Sequence, residues 1–304
     1  MLLQDGSLYM TGDNSQGQCG WPKEVTHTIG WRLLPGKFVD VGCCWESTVV
    51  ITAKGEVQSC GKGLKGELGL GPLVQRSELS TVMQLNTTNG SVHCCLHNVC
   101  VQDGAELYGW GANTKCQLLA PKSRYLNTPT LIHKGTSITQ VSLGKNFLCF
   151  VDQEELTIQG TASDFLPAIV QEFEAHKPCV QFHAMWSSLH MLAPGHLASF
   201  GQGNHGQLFK DAVPSAITSW ATGSEHGVLC VSRQDVLCWG WGEHGNCGRL
   251  THDVAATAQL PDENDYSNQV SPLNLVYTCG SDPTAAVYKC YGGCATTWIC
   301  IQHN

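Results

Sequence analysis

The sequence predicts an all-β protein assembled from repeats of about four short antiparallel strands, which read as propeller blades. Three observations carry that prediction. A glycine-rich frame recurs along the chain, a second frame precedes most of its copies, and turn signals lie between the two. Composition agrees: 33 glycines in 304 residues suit many tight turns, while 42% hydrophobic and 14% charged residues supply a sizeable core.

The first frame is clearest in "CWGWGEHGNCG" (238–248). Aligned copies are "TGDNSQGQCG" (11–20), "CGKGLKGELG" (60–69), "WGANTKCQLL" (110–119), "FGQGNHGQLF" (200–209) and "WGWGEHGNCG" (239–248), with "QGTASDFLPA" (159–168) a degraded one. Their lead glycines are Gly12, Gly61, Gly111, Gly160, Gly201 and Gly240, spaced by 49, 50, 49, 41 and 39 residues. A small or hydrophobic residue precedes the lead glycine of each intact copy. Gly or Cys follows five positions later in the intact copies, then Gln, Glu or Asn.

The second frame is a short β-branched strand, a small-residue turn and another strand. It occurs as "VDVGCCWESTVVIT" (39–52), "SVHCCLHNVCVQ" (91–102), "QVSLGKNFLCFV" (140–151), "FHAMWSSLHMLA" (182–193), "SWATGSEHGVLCV" (219–231) and "CYGGCATTWICI" (290–301). Turn signals such as Ala53-Lys54-Gly55 and Gln102-Asp103-Gly104 separate the frames. One propeller domain over 1–304 follows, with repeat units at roughly 1–37, 38–90, 91–137, 138–179, 180–216 and 217–286, and a partial unit at 287–304.

These two frames, "GxxxxGQLG" preceded by "GxxHxxxL", resemble the regulator-of-chromosome-condensation (RCC1) repeats, which form seven-bladed propellers. Within that family, "YGWGANTKCQLLAPKSR", "SFGQGNHGQLF", "ATGSEHG", "CWGWGEHGNCG" and "GGCATTWI" are similar to the fungal alpha-tubulin-suppressor, or killer-toxin-insensitivity, subfamily. The resemblance implies a non-enzymatic adaptor that pairs with a small zinc-binding, electron-carrying protein of the CSL type. That pair serves diphthamide synthesis on translation elongation factor two and Elongator-dependent modification of tRNA wobble uridines. The alternative the resemblance implies is a guanine-nucleotide exchange factor or another protein-binding, cytoskeleton-linked propeller. The fold expected is a seven-bladed β-propeller of this type lacking about one repeat of N-terminal strands, with exposed edges prone to association.

In an antiparallel blade the first and third turns share a face, and those turns are the two frames. The lead glycines, and Trp239, Phe200, Trp110, Cys60 and Thr11 before them, are expected to pack between blades. Residues between the glycines are free to vary. On that ground Trp45, Glu46, Lys115, Asn204, His205, Trp241, Glu243 and His244 are the candidate partner-binding residues, with Trp186 and Trp298 as secondary candidates. Ser224 and Glu225 are also placed on this face. Trp45 and Trp241 carry a second reading, in which the indole folds back over a neighbouring blade.

Several function classes lose support. Net charge is −8, with no run of basic residues, which argues against nucleic acid or an anionic membrane as a direct partner. No GxSxG, HExxH or GxxxxGK[ST] motif is present. Adjacent residues such as Glu225–His226 and Glu243–His244 cannot orient one another as base and orienter do. No catalytic residue and no cofactor of its own are therefore expected; the resemblance implies that the partner carries the zinc or iron. The N-terminal "MLLQDGSLYMTG" reaches Asp and Gly by its sixth residue, so no signal peptide is expected. The location expected is cytoplasmic and also nuclear. The 17 cysteines then serve mainly as small buried hydrophobes, and the pairs Cys43–Cys44 and Cys94–Cys95 lack the CxxC spacing of structural zinc sites. The segment 249–277 is expected to be dispensable for partner binding, and 260–272 to lack order.

Overall fold

In five of the sheets the second strand is buried on both faces, and this feature organises the molecule. Strand β4 (Ser47–Thr52, STVVIT) is buried at its first five positions, as are β12 (Phe147–Asp152, FLCFVD) and β18 (His226–Val231, HGVLCV). Two-sided burial selects continuous apolar and β-branched runs rather than alternation. The computed structural model describes residues 1–161, 165–248, 270–280, 282 and 284–303. These form two compact units, Met1–Leu166 and Pro167–Asn304.

In the first unit, β1 (Leu8–Asp13) pairs with β2 (His27–Leu34). Strands β3 (Phe38–Cys43), β4, β5 (Glu56–Lys62) and β6 (Arg76–Gln84) form a four-stranded sheet in sequence order. A second such sheet comprises β7 (Ser91–Cys95), β8 (Asn98–Asp103), β9 (Glu106–Ala112) and β10 (Tyr125–Lys134). Strands β11 (Ile138–Leu143), β12 and β13 (Glu155–Gly160) make a three-stranded sheet. Every pairing is antiparallel. One core joins the two four-stranded sheets: Val49, Ile51, Val57, Val99, Val101 and Trp110 are each 0% exposed.

The second unit opens with helix α1 (Leu166–His176). Strands β14 (Gln181–Ala184), β15 (Ser188–Ala193) and β16 (His196–Gly201) form a three-stranded sheet. Strands β17 (Ile217–Thr222), β18, β19 (Asp235–Trp241) and β20 (Val270–Thr278) form a four-stranded one. Strand β21 (Ala285–Gly292) pairs with β22 (Thr297–His303). Met185, Phe209, Trp220, Leu229 and Trp239 pack one core of this unit, and Val228, Val236, Cys238, Cys247, Val287 and Cys290 another. Seven antiparallel sheets thus account for the strands of the described residues.

The all-β expectation holds apart from one helix, and one expectation needs correction. The helix has no counterpart in the all-β reading: after Gly160 the chain leaves the repeat frame and runs LPAIVQEFEAH, whose Ile169 and Phe173, one turn apart, are buried. That i,i+4 apolar pair is a helical signal. In the segment 260–272, residues 260–269 lie outside the described residues, but Val270 already opens β20. Pairing with β19 orders it, in a register that sets Leu237 against Leu275.

The lead glycines have one shared cause. Gly61 and Gly111 have φ of +100° and +105°, and a Cβ on either would lie 2.4 and 2.1 Å from the carbonyl oxygens of Glu46 and His97. Those are first-turn carbonyls of the same sheets. Each also accepts the N–H of the residue after the glycine, Lys62 at 2.8 Å and Ala112 at 2.9 Å. The third turn is thereby clamped to the first, and only glycine allows the approach.

Nine of the cysteines are buried and all are free thiols. Burial pushes the Cys60, Cys100 and Cys247 thiols up to about 12, so they behave as small hydrophobes. No helix among the described residues is long and apolar enough to cross a membrane.

Candidate functional site

The clamp between first and third turns recurs in the second unit. Gln202 N–H donates to the Ser187 carbonyl at 3.1 Å, and Trp241 N–H to that of Glu225 at 2.9 Å. Side chains from the two frames therefore gather at one end of each sheet. Adjacent first turns are also tied together: Trp45 N–H donates to Leu96 O at 2.9 Å in the first unit, and Trp186 N–H to Ser224 O at 2.8 Å in the second.

Part of each third turn is brace rather than display. The Gln117 and Gln207 side chains accept the N–H two residues earlier, from Lys115 at 2.9 Å and His205 at 2.8 Å, and Glu67 does the same for Lys65 at 2.7 Å. All three are buried. This explains the recurring Gln or Glu of the frame. Trp110 and Trp239 before the lead glycines are buried as expected, each donating its indole N–H at 2.8 Å to a third-turn carbonyl of the preceding sheet, Glu67 and Gln207. Cys60 is buried too, whereas Thr11 and Phe200 are only half-buried.

Among the candidates of the first unit, Trp45 projects into solvent, at 57% exposure. Glu46, beside it, takes the Lys62 ammonium at 2.9 Å. Lys115 is exposed. His97 turns inward instead, its Nδ1 lying 2.6 Å from Glu67.

The second unit gathers the remaining candidates. The Trp241 indole lies flat on the His205 imidazole, centroids 4.3 Å apart and planes 13° apart, and donates to Glu243 Oε2 at 2.8 Å. His244 Nε2 lies 3.2 Å from the other oxygen of Glu243. Trp241 thus folds over the turn of the preceding sheet, which is the second reading of this residue, and is half-buried. His244, Asn246, Val276, Thr297 and Trp298 line a cleft of about 440 Å³. Trp298 is 46% exposed, Asn204 is exposed and Trp186 is half-buried.

Glu225 is not a display residue. It is buried and accepts from Ser187 Oγ at 2.8 Å and Gln207 Nε2 at 3.2 Å, so it fastens the turn of its neighbour. His226 is buried with Nε2 3.1 Å from Thr297 Oγ1, and burial holds its pKa down at about 4. His190 sits between Ser188 and Ser199 and is held at about 3 by burial. These imidazoles are neutral packing groups, far from the pKa of a general base. What remains at the turns is aromatic surface rimmed by Glu, His and Lys, a composition suited to gripping another macromolecule.

Comparisons place this geometry among known proteins. No family model matches the chain. An RCC1 repeat-containing protein of Schizosaccharomyces pombe is 27% identical over 330 positions, covering 100% of this chain and 87% of that protein. The mouse secretion-regulating guanine nucleotide exchange factor is 26% identical over 314 positions, covering 82% of this chain and 65% of that protein. Among solved structures, Prp20p of Saccharomyces cerevisiae, studied with its binding to Gsp1p and histones, superposes with a TM-score of 0.71. Its identity is 16%, with 96% of this chain and 78% of that chain covered. Yeast RCC1 (Prp20) bound by Kap60 gives a TM-score of 0.72 at 15% identity, covering 97% and 76%.

Proposed function

We propose, for a chain of RCC1-type repeats with the RCC1-type β-propeller fold, a non-enzymatic role: its turn tryptophans receive a protein partner. The partner we assign is a small zinc-binding, electron-carrying protein of the CSL type, in the service of diphthamide synthesis on elongation factor two and Elongator-dependent wobble-uridine modification in tRNA. The support for the partner's identity is the match of the turn sequences to the fungal alpha-tubulin-suppressor subfamily. The observation that carries a binding role is the exposure of large indoles at positions the fold leaves free. Trp45 projects from a first turn and Trp298 from the start of strand β22, while Trp241 lies half-buried in its stack on His205. Aromatic anchors with a charged rim are what interface hot spots are made of. The charged neighbours are Glu46 with Lys62, and Lys115, in the first unit, and Glu243 with His244 in the second.

A second reading is nucleotide exchange on a small GTPase, favoured by the likeness to the mouse exchange factor. Affinity capture of the tagged full chain from its native cells, with mass spectrometry, separates the two. A zinc protein together with diphthamide or Elongator factors supports the first reading, and a GTPase enriched in its nucleotide-free form supports the second. Titration calorimetry with the recombinant zinc protein then tests the direct contact.

A further inference from the structure

The repeat frame does not account for one cluster in the second unit. Glu172 and His176 lie one turn apart on α1, an i,i+4 spacing that sets both side chains on the same face. They flank the stripe of Ile169 and Phe173 that the helix buries, so they sit at the boundary between core and solvent. His196 opens β16 just after the Pro194-Gly195 turn. It reaches the same carboxylate.

The geometry is convergent. His176 Nδ1 lies 3.0 Å and His196 Nε2 2.9 Å from one oxygen, Glu172 Oε1. The two rings are stacked, 5.0 Å apart with planes at 15°, so their nitrogens are delivered side by side. All three ligand atoms lie within 4.8 Å of one another. We propose that Glu172, His176 and His196 form a binding site for a borderline divalent transition metal ion of the zinc class.

The donor set and spacing both suit such an ion. Imidazole nitrogen with one carboxylate oxygen selects Zn²⁺, Co²⁺, Ni²⁺ or Cu²⁺ over Mg²⁺ or Ca²⁺, which demand oxygen ligands. Zinc sits about 2.0–2.2 Å from nitrogen and oxygen donors, which places tetrahedral donors about 3.3 Å apart. The nitrogens lie 2.9 and 3.0 Å from the oxygen, so each contact opens by only a few tenths of an ångström on metallation. His176 Nδ1 also lies 3.0 Å from the Glu172 carbonyl, so metal binding replaces a hydrogen bond with a coordination bond at that nitrogen. Three protein ligands leave a coordination position, and His196, with a side chain 48% exposed, opens it to solvent. The site is independent of the turn tryptophans and needs no partner protein.

Cobalt is the probe, because the 17 cysteines offer a competing chemistry that cobalt reports in colour. Purified full chain, with thiols kept reduced, is titrated with Co²⁺ and followed by visible absorption and by calorimetry. The expected result is about one equivalent bound, with d–d bands in the visible and no sulfur-to-metal charge transfer in the near ultraviolet. His196→Ala and His176→Ala should each weaken binding by more than about tenfold, by analogy with the loss seen for outer-shell partners alone. Glu172→Gln should weaken it too. His196 is exposed, so its variant should keep the wild-type melting temperature and separates ligand loss from unfolding. A charge-transfer band, or affinity unchanged in His196→Ala and His176→Ala, would overturn the proposal, as would wild-type chain that binds no Co²⁺ in the titration.

Discussion

The indole Nε1–H of Trp110 donates to the carbonyl of Glu67 at 2.8 Å, across the seam between two neighbouring sheets of the first unit. The second unit repeats the contact with Trp239 and Gln207 at the same distance. Each tryptophan therefore fills the inter-sheet core and also satisfies a carbonyl of a turn that belongs to the preceding repeat. The third turn is held from below by its own Gln or Glu and from behind by the next repeat's indole.

Replacing Trp110 by alanine should be among the most destabilising single changes, about 3–5 kcal/mol, because a large buried ring is lost and the Glu67 carbonyl is left unsatisfied. Trp110→Phe keeps most of the volume and should cost about 1–3 kcal/mol. Urea unfolding of the two variants measures both, and a negligible cost for Trp110→Phe would show that the hydrogen bond contributes nothing.

Gly111→Ala should cost about 2–4 kcal/mol. The new Cβ meets the His97 carbonyl oxygen at 2.1 Å with φ at +105°, so the first-turn clamp must open as well as the backbone strain. Gly71→Ala is the control: its φ is +100°, but nothing lies within 4 Å of the added carbon. It should cost only about 1–2 kcal/mol. Similar losses at the two positions would remove the clamp as the reason for the lead glycines.

Much of this architecture was legible in the sequence. The lead glycines, Trp110 and Trp239, and the separation of the two frames follow from repeat alignment, because every repeat solves the same packing problem. What a frame cannot show is a bond between repeats. Glu225 occupies a turn position that looks displayed, yet Ser187 and Gln207 of the preceding sheet bury it. The stack of Trp241 on His205 joins residues 36 positions apart for the same reason. Helix α1 was hidden differently. Its signal, Ile169 with Phe173, stands where the glycine frame decays, so reading by the frame passes over it.

Acid should destabilise the second unit well before its carboxylates titrate. His190 and His226 are held near about 3 and about 4 by burial, below the ordinary 6.5. Below pH 6.5 the unfolded chain binds protons that these folded imidazoles refuse, so stability falls as pH drops from 6.5 toward the folded values. It is fully present above pH 6.5. The slope is about 1.4 kcal/mol per pH unit for each histidine. Unfolding midpoints in urea at pH 7.5, 6.0 and 5.0 test this, and a flat profile would show that the two imidazoles are accessible to protons in the folded state.

The turn tryptophans should separate binding from stability. Trp45→Ala and Trp298→Ala remove side chains that are 57% and 46% exposed, so each variant should unfold within about 1 kcal/mol of wild type. Against the CSL-type zinc protein, an indole at the centre of the interface should cost about 2–4 kcal/mol on truncation, roughly thirty- to several-hundred-fold in Kd. Trp241→Ala tests the stacked indole and needs a stability control, because it also uncovers His205. Lys115→Ala should cost under about 1 kcal/mol in affinity and act mainly on the association rate, since an exposed rim charge steers more than it anchors. Trp45 and Trp241 lie in different units, so calorimetry on each single variant reports whether each unit contributes. Loss at both is the expected outcome. Loss at Trp241 alone would confine the site to the second unit, and wild-type affinity in all three tryptophan variants would remove the turns as the binding surface.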